Sequence, residues 1–370
     1  VKWIAVLLFL FLALLAYSQH PPHPPHPPHP PHPPHPTPTP PHSTPSPTHP
    51  GQPHTTPPIP GKLITLQPGQ DPKSFIPALA RNARRLSLSS ELNLGQLETL
   101  RNILLSEVGY GGREIGLWAA SHGDFEKEEG SSQVATEGII VAADKRLFDH
   151  LVVGIAGGYS HSGSSDLDLN SGWGGGYLII FGSGFYLNQT AIAGGDYFST
   201  TRSGLLGTAR ANSSGWFFSE VAQGGYNAKW NNLSIGPYAM LQYAIVGNGA
   251  FSETGSDAPV TVHSGTQGST VSDLGTEASY NWNKLTFKLS LAWEHEYTDT
   301  TSFTEVNVVG IPSSLTTVAG TSLGHDSMIV NAGFSYQVTE RASIGLGYAG
   351  QIGRKNEESN SIIGNIRLGF

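Results

Sequence analysis

The sequence has no cysteine, only two methionines and few charges, with Asp, Glu, Lys and Arg together making 13% of 370 residues. The lack of cysteine excludes a disulfide scaffold and any zinc site built on thiolates. Beyond the first residues no apolar run reaches the ~20 residues that a membrane-spanning helix needs. Basic residues are scarcest where the chain is longest. Residues 110–370 carry thirteen Lys/Arg against twenty-four Asp/Glu, a balance of −11, whereas residues 1–109 balance at +3. So acidic a C-terminal part argues against nucleic acid, because neutralising phosphates needs clustered Lys/Arg. Scarce charge combined with 45 glycines is an unusual profile for a cytosolic enzyme.

The chain divides by composition. Lys2 precedes an apolar run from Ile4 to Ala16, and Ala16-Tyr17-Ser18 has the small-x-small form of a cleavage site. Residues 1–18 are therefore expected to be a secretory signal peptide, the run being too short for a span. Residues 19–60 are Pro- and His-rich low complexity, with His20, His23, His26, His29, His32 and His35 spaced every third residue. Proline fixes φ and removes the backbone donor, so helix and sheet are excluded and a disordered, polyproline II-like rod is expected. At ~3.1 Å per residue its reach is roughly 125 Å. Metal capture by the six histidines competes with a stiff spacer. The spacer is favoured, because histidines ~9 Å apart along a straight rod cannot chelate one ion as neighbours. No cofactor is expected.

Residues 61–85 read as a linker and 86–110 as a helical segment. Leu97, Leu100, Leu104 and Val108 follow at helical spacing, with Ser89, Ser90 or Asn93 as candidate caps. A helix over about 90–108 would be ~28 Å long, close to one bilayer thickness.

From residue 111 onward the apolar period changes to two. In Leu285–Trp293 one face reads Leu, Phe, Leu, Leu, Trp and the other Thr286, Lys288, Ser290, Ala292. Twelve such strands can be counted: about 114–123, 134–145, 149–160, 171–182, 184–198, 213–229, 232–246, 269–282, 284–298, 325–338, 341–353 and 359–370. Both alternations are equally apolar in 184–198 and 213–229, which leaves those faces open. Connections alternate between short turns and long stretches near 124–133, 161–170, 199–212, 247–268 and 299–324. A soluble sandwich also alternates, but its strands usually run only ~5–6 residues. Here they reach the ~9–11 of a tilted membrane strand. Aromatics at Trp118, Tyr159, Trp173, Tyr186, Trp216, Trp230, Trp282, Tyr297 and Tyr348 lie near strand ends, as interfacial girdles do. The expected fold is all-β: a twelve-stranded antiparallel transmembrane β-barrel, with a polar lumen lined by Glu137, Asp273, Glu277, Lys288, Glu294, Glu296, Asn331 and Arg367.

Several stretches resemble the autotransporter β-domain family of Gram-negative bacteria. They are Gly116-Leu-Trp118-Ala-Ala, Glu137-Gly138-Ile-Ile-Val-Ala142-Ala-Asp144, Leu151-Val-Val-Gly154-Ile-Ala-Gly157-Gly158-Tyr159, Pro237-Tyr238 and Ala292-Trp293-Glu294-His295-Glu296-Tyr297. Ala142 stands where the family pattern has a second glycine. The resemblance implies an outer-membrane barrel with the helix threaded through its lumen and an upstream passenger exported by type V secretion. It also implies the barrel-assembly machinery and periplasmic chaperones as partners, besides outer-membrane lipid. The row Ile362, Ile366, Leu368 and Phe370 would be the assembly signal. About seventy residues separate the signal from the helix, with no adhesin or protease head among them. Asn93 and Asn102 are not paired, which gives no support for the passenger self-cleavage some members perform. A monomer is expected, and no host or environmental ligand can be named.

Enzyme chemistry finds little footing. His161 and Ser162 are strand neighbours and should point to opposite faces, out of reach of each other. Glu294 and Glu296 share a face, but need no catalytic role in a wet lumen. Gly174-Gly175-Gly176 precedes no helix and is not a phosphate loop; its residues are read as small lumen positions leaving room for a plug. A barrel displaying the His/Pro segment is the leading reading, with a porin-like channel and periplasmic spacer as the alternative.

Overall fold

A computed structural model describes residues 88–107, 114–128, 133–203, 207–256 and 259–370, with helix side chains from 93 to 105. The signal, the His/Pro segment and the linker lie outside the described residues.

The described chain opens with helix α1 (Leu88–Glu107). Strands follow as β1 (Ile115–Glu128), β2 (Val134–Phe148), β3 (Leu151–Gly163), β4 (Leu167–Gly182), β5 (Phe185–Ser203) and β6 (Gly207–Tyr226). Next are β7 (Ala228–Trp230), β8 (Leu233–Asn248), β9 (Phe251–Ser252), β10 (Thr254–Ser256), β11 (Val260–Val262) and β12 (Gly265–Trp282). The last are β13 (Leu285–Glu296), β14 (Thr301–Val308), β15 (Ile311–Ser322), β16 (Asp326–Thr339), β17 (Ala342–Ile352) and β18 (Glu357–Gly369).

Twelve of these form a closed antiparallel barrel: β1 to β6, β8, β12, β13, β16, β17 and β18. Closure comes from β1 pairing with β18 from Gly116↔Gly369 to Glu128↔Glu357. No edge is left for lipid to meet unsatisfied. No described helix is long and apolar enough to cross a membrane; this chain crosses with strands. Short turns join the strands on one side, as at Ser183-Gly184, where both residues have positive φ (52° and 87°), the geometry of a type I′ hairpin. The longer connections lie on the other side, which is the cell-surface side of an outer-membrane barrel.

Outward faces are apolar, through Ile139, Ile155, Leu274, Leu289, Leu291, Phe334, Leu346 and Ile366, all exposed. Aromatics ring both ends of this band: Tyr159, Tyr197, Trp216 and Trp293 toward the loops, Phe185, Tyr226, Trp282 and Phe370 toward the turns. Three expected girdle residues are elsewhere. Trp118, Trp173 and Tyr186 are buried inside. Each of the latter two lies over a glycine, since a Cβ at Gly158 would meet the Trp173 ring at 2.7 Å and one at Gly225 the Tyr186 ring at 2.6 Å.

The strands run past the bilayer on the loop side, so β5 and β6 continue to Ser203 and Gly207 across a stretch expected to be loop. Two other expected loops, 247–268 and 299–324, contain strands. There β15, β14, β11 and β9 form a second antiparallel sheet, packed through Phe251, Val260, Val262, Val306 and Val318 on Phe198 and Leu169 of the barrel wall.

Candidate functional site

The lumen of the loop-side half is filled by α1. Its apolar residues Leu97, Leu100, Ile103 and Leu104 are fully buried against Ile140, Ile192, Phe217, Val246 and Ile363 of the wall. Its polar residues Asn93, Gln96, Thr99 and Arg101 are buried too, and each finds a wall partner. Asn93 Nδ2 donates to Asp196 Oδ2 at 2.8 Å. Gln96 Nε2 donates to Ser162 Oγ at 2.5 Å, and Ser160 Oγ donates to Gln96 Oε1 at 3.1 Å. Thr99 and Ser361 hydroxyls are 3.4 Å apart. Since α1 starts at Leu88, Asn93 lies within the helix and is not its cap. Ser89 and Ser90 are within it as well.

Arg101 is the centre of the polar contacts, with its side chain 1% exposed. Its Nη1 donates to Gln242 Oε1 at 2.8 Å and its Nη2 to Glu294 Oε2 at 3.0 Å. Glu98 and Asp273 carboxylates lie 3.6 and 3.9 Å away. Glu294 also accepts from Ser327 Oγ at 2.9 Å and from Gln351 Nε2 at 2.7 Å. One guanidinium thereby ties α1 to β8, β12 and β13, and through Glu294 to β16 and β17. A buried charge is tolerated only with such partners.

The direction of α1 follows from these contacts. Asn93 and Gln96 reach Asp196 and Ser162, near the loop ends of β5 and β3. Leu105 packs at the level of Tyr186, Tyr238 and Phe181, nearer the turns. The N-terminus of α1 thus points to the loop side. Nearer the turns, Trp118 Nε1 donates to Tyr177 Oη at 3.0 Å, and Tyr177 Oη and Arg367 Nη2 each donate to Asp144 Oδ2 at 2.9 Å.

The residues expected in the lumen divide as follows. Asp273, Glu294 and Glu296 are buried there. Glu277 accepts from Asn227 Nδ2 at 2.7 Å, and Asn331 Nδ2 donates to Ser290 Oγ at 3.1 Å on the same inner face. Arg367 faces inward at Asp144, and Lys288 is exposed on the inner face near the turns. Glu137 is the correction. It alternates with Thr136 and Ile140, which are buried inside, and so points outward, paired with His161 two residues beyond the Ile139–Tyr159 level. Above the girdle the outer face meets water, so a polar residue there does not mark the lumen. The glycine run is corrected likewise. Trp173, Gly175 and Tyr177 turn inward, while Gly174 and Gly176 turn outward. A Cβ at Gly175 would stand 2.2 Å from the Ala191 carbonyl. The faces left open also resolve. Tyr186, Asn188, Thr190 and Ile192 point inward on β5, and Phe217, Ser219, Val221 and Gln223 on β6. Phe370, Leu368, Ile366 and Ile362 share the outward face. His20, His23, His26, His29, His32 and His35 lie outside the described residues. Ser162 and His161 face opposite ways, Ser162 inward with zero exposure. Among the described residues no cluster of metal-binding side chains occurs.

The fold has parallels among solved structures. The translocator domain of the autotransporter NalP from Neisseria meningitidis superposes with a TM-score of 0.64 at 16% identity, covering 79% of this chain and 100% of that one. The β-domain of the Bordetella autotransporter BrkA gives 0.52 at 13% identity, covering 70% and 100%. Among curated proteins, an extracellular serine protease of Serratia marcescens is 23% identical over 320 residues, 82% of this chain and 30% of that protein. Another of the same description is 26% identical over 280 residues, 69% and 26% respectively. The chain thus spans less than a third of the length of these relatives. Residues 117–349 match the autotransporter β-domain family. With that match over more than half its length, the chain belongs to the autotransporter β-domain family, and its barrel is a translocator domain of the Gram-negative outer membrane.

Proposed function

We propose that this barrel carries the segment upstream of α1, including the His/Pro-rich residues 19–60, to the cell surface and holds it there. The observation that carries this reading is the direction of α1, whose N-terminus points to the loop side while Arg101 anchors it to the wall. On this reading the chain before Leu88 lies outside the membrane. A rod reaching roughly 125 Å would then act as a spacer beyond the outer leaflet. The row Ile362, Ile366, Leu368 and Phe370 is proposed as the feature read by the barrel-assembly machinery, with periplasmic chaperones delivering the unfolded chain. The enzymatic activity in the Serratia relatives' names is not carried over to this barrel, because the match leaves most of each relative uncovered. The porin-like alternative is disfavoured by a lumen filled with Leu97, Leu100, Ile103 and Leu104.

Protease applied to intact cells tests the display. Residues 19–60 should be removed while the barrel survives. Protection of that segment until the outer membrane is broken would show that it stays in the periplasm.

A further inference from the structure

A buried histidine, an acid and two serines meet α1 inside the lumen. On the inward face of β1, His122 and Asp124 are both buried, and their Nδ1 and Oδ2 lie 2.9 Å apart. A carboxylate can only accept, so in the neutral ring Nδ1 carries the proton and Nε2 presents its lone pair. That Nε2 is buried, and among the described residues it has no hydrogen-bond partner. Its direction is set by a glycine. The ring leans across β2 into the place of a side chain at Gly138, where a Cβ would stand 2.2 Å from Nε2. Gly138 pairs in turn with Ser160 of β3, whose side chain is inward and buried. Cβ positions directly opposite each other are ~5 Å apart, so the free ring nitrogen lies beside the Ser160 side chain.

The carboxamide of Gln96 is held between two serines. Ser160 Oγ donates to its Oε1 at 3.1 Å, and its Nε2 donates to Ser162 Oγ at 2.5 Å. Ser162 is fixed in turn by Thr136, whose hydroxyl lies 2.7 Å from its own. All of these side chains are buried. Asp124, His122 and Ser160 thus follow one another as an acid that orients a base beside a nucleophile. The carbonyl group next to that nucleophile is the Gln96 amide, held there by its own hydrogen bond. Reactants fixed in this way have already given up most of the freedom that a reaction in solution must remove. Packing alone gives no reason for an unpartnered ring nitrogen, which is costly when buried.

We propose that Ser160 and Gln96 form an ester bond, with loss of ammonia, which fastens α1 covalently to β3. His122 Nε2 takes the Ser160 hydroxyl proton while Oγ bonds to Gln96 Cδ, and Asp124 steadies the imidazolium that forms. The Gln96 Cδ–Nε2 bond then breaks, and its nitrogen takes the proton back from His122 and leaves as ammonia. One hydroxyl and one primary amide become one ester and one ammonia, with no oxidation and no co-reactant. The step occurs once per chain and is a self-modification without turnover. Burial keeps water from the ester once it has formed. The link holds the loop-side part of α1, ~7.5 Å along the helix from Arg101, which ties its middle. It does not depend on where the upstream segment ends.

Peptide mapping of the full chain purified from outer membranes reads the link directly. Trypsin cuts after Lys and Arg, so Gln96 falls in peptide 86–101 and Ser160 in peptide 147–202. The two should appear as one species, with their summed mass less one ammonia. Mild hydroxylamine should part them, because it cleaves esters and spares amides. Ser160→Ala should lose the linked species and Ser162→Ala should keep it. His122→Gln should slow its formation by at least about 100-fold, as loss of a general base does, while heat-modifiable migration confirms a folded barrel. Peptides 86–101 and 147–202 recovered separately from the folded native barrel would overturn the proposal. So would a link that persists in folded Ser160→Ala, or one that forms as fast in folded His122→Gln.

Discussion

At the scale of single residues, Arg101 does most to hold the plug. Its guanidinium is shared among Gln242, Glu294, Glu98 and Asp273 in a water-poor site. Removing it strands several buried carboxyls, a change worth about 3–5 kcal/mol when a buried ion pair loses one partner. Arg101→Met should therefore loosen α1 and give ion current in planar bilayers, where the native barrel should be nearly silent. An equally silent variant would mean that apolar packing alone seals the lumen. The glycine run offers a second contrast. Gly175→Ala forces a methyl against the Ala191 backbone 2.2 Å away, whereas Gly174→Ala adds it to open space. Overpacking of that kind costs about 1–3 kcal/mol. The temperature at which the folded band disappears from gels should fall for Gly175→Ala and stay put for Gly174→Ala. Much of this detail was hidden in the sequence. Glu137 looks like a lumen acid until the register places it above the girdle. Trp118, Trp173 and Tyr186 look like girdle residues because the glycines that seat two of them lie on neighbouring strands.

At the scale of elements, the alternation of period two was enough to count twelve strands and to place their turns. The helical spacing of Leu97, Leu100 and Leu104 read the helix to within a few residues as well. What it could not read was anything built above the membrane. There a strand no longer has a lipid face, and Thr, Ser and Gly in β14 and β15 look like loop. The loop sheet is nonetheless fastened to the barrel. Arg202 of β5 donates from Nε to Glu253 Oε1 at 2.9 Å, and Glu253 Oε2 accepts from the Val260 amide at 2.9 Å. Both side chains of the pair are nearly without solvent exposure, at 4% and 1%. Arg202→Met should leave Glu253 buried without its ion partner and open this connection. Limited proteolysis of intact cells should then cut within 249–264 faster than in the native chain, with the barrel itself unaffected. Unchanged cleavage would place the strength of the loop sheet in its valine core instead.

At the scale of the whole molecule, the barrel is a closed wall with its outer half sealed by a helix that points to the surface. Closure depends on β1 meeting β18, where the Ile115 amide donates to the Phe370 carbonyl at 3.3 Å and the Phe370 amide to the Ile115 carbonyl at 2.9 Å. Deleting Phe370 removes both bonds and the aromatic that ends the outward row Ile362, Ile366 and Leu368. Assembly should be abolished, read as loss of heat-modifiable barrel from the outer membrane; normal assembly would remove Phe370 from the proposed signal. The central claim is orientation: loops, the start of α1 and the chain before it all on the outside. Single cysteines labelled by a membrane-impermeant maleimide on intact cells test it most directly. Ser313→Cys in β15 and Thr56→Cys in the upstream segment should label at once, and Lys284→Cys in a turn only after the outer membrane is opened. Thr56→Cys that labels only with Lys284→Cys would contradict the account.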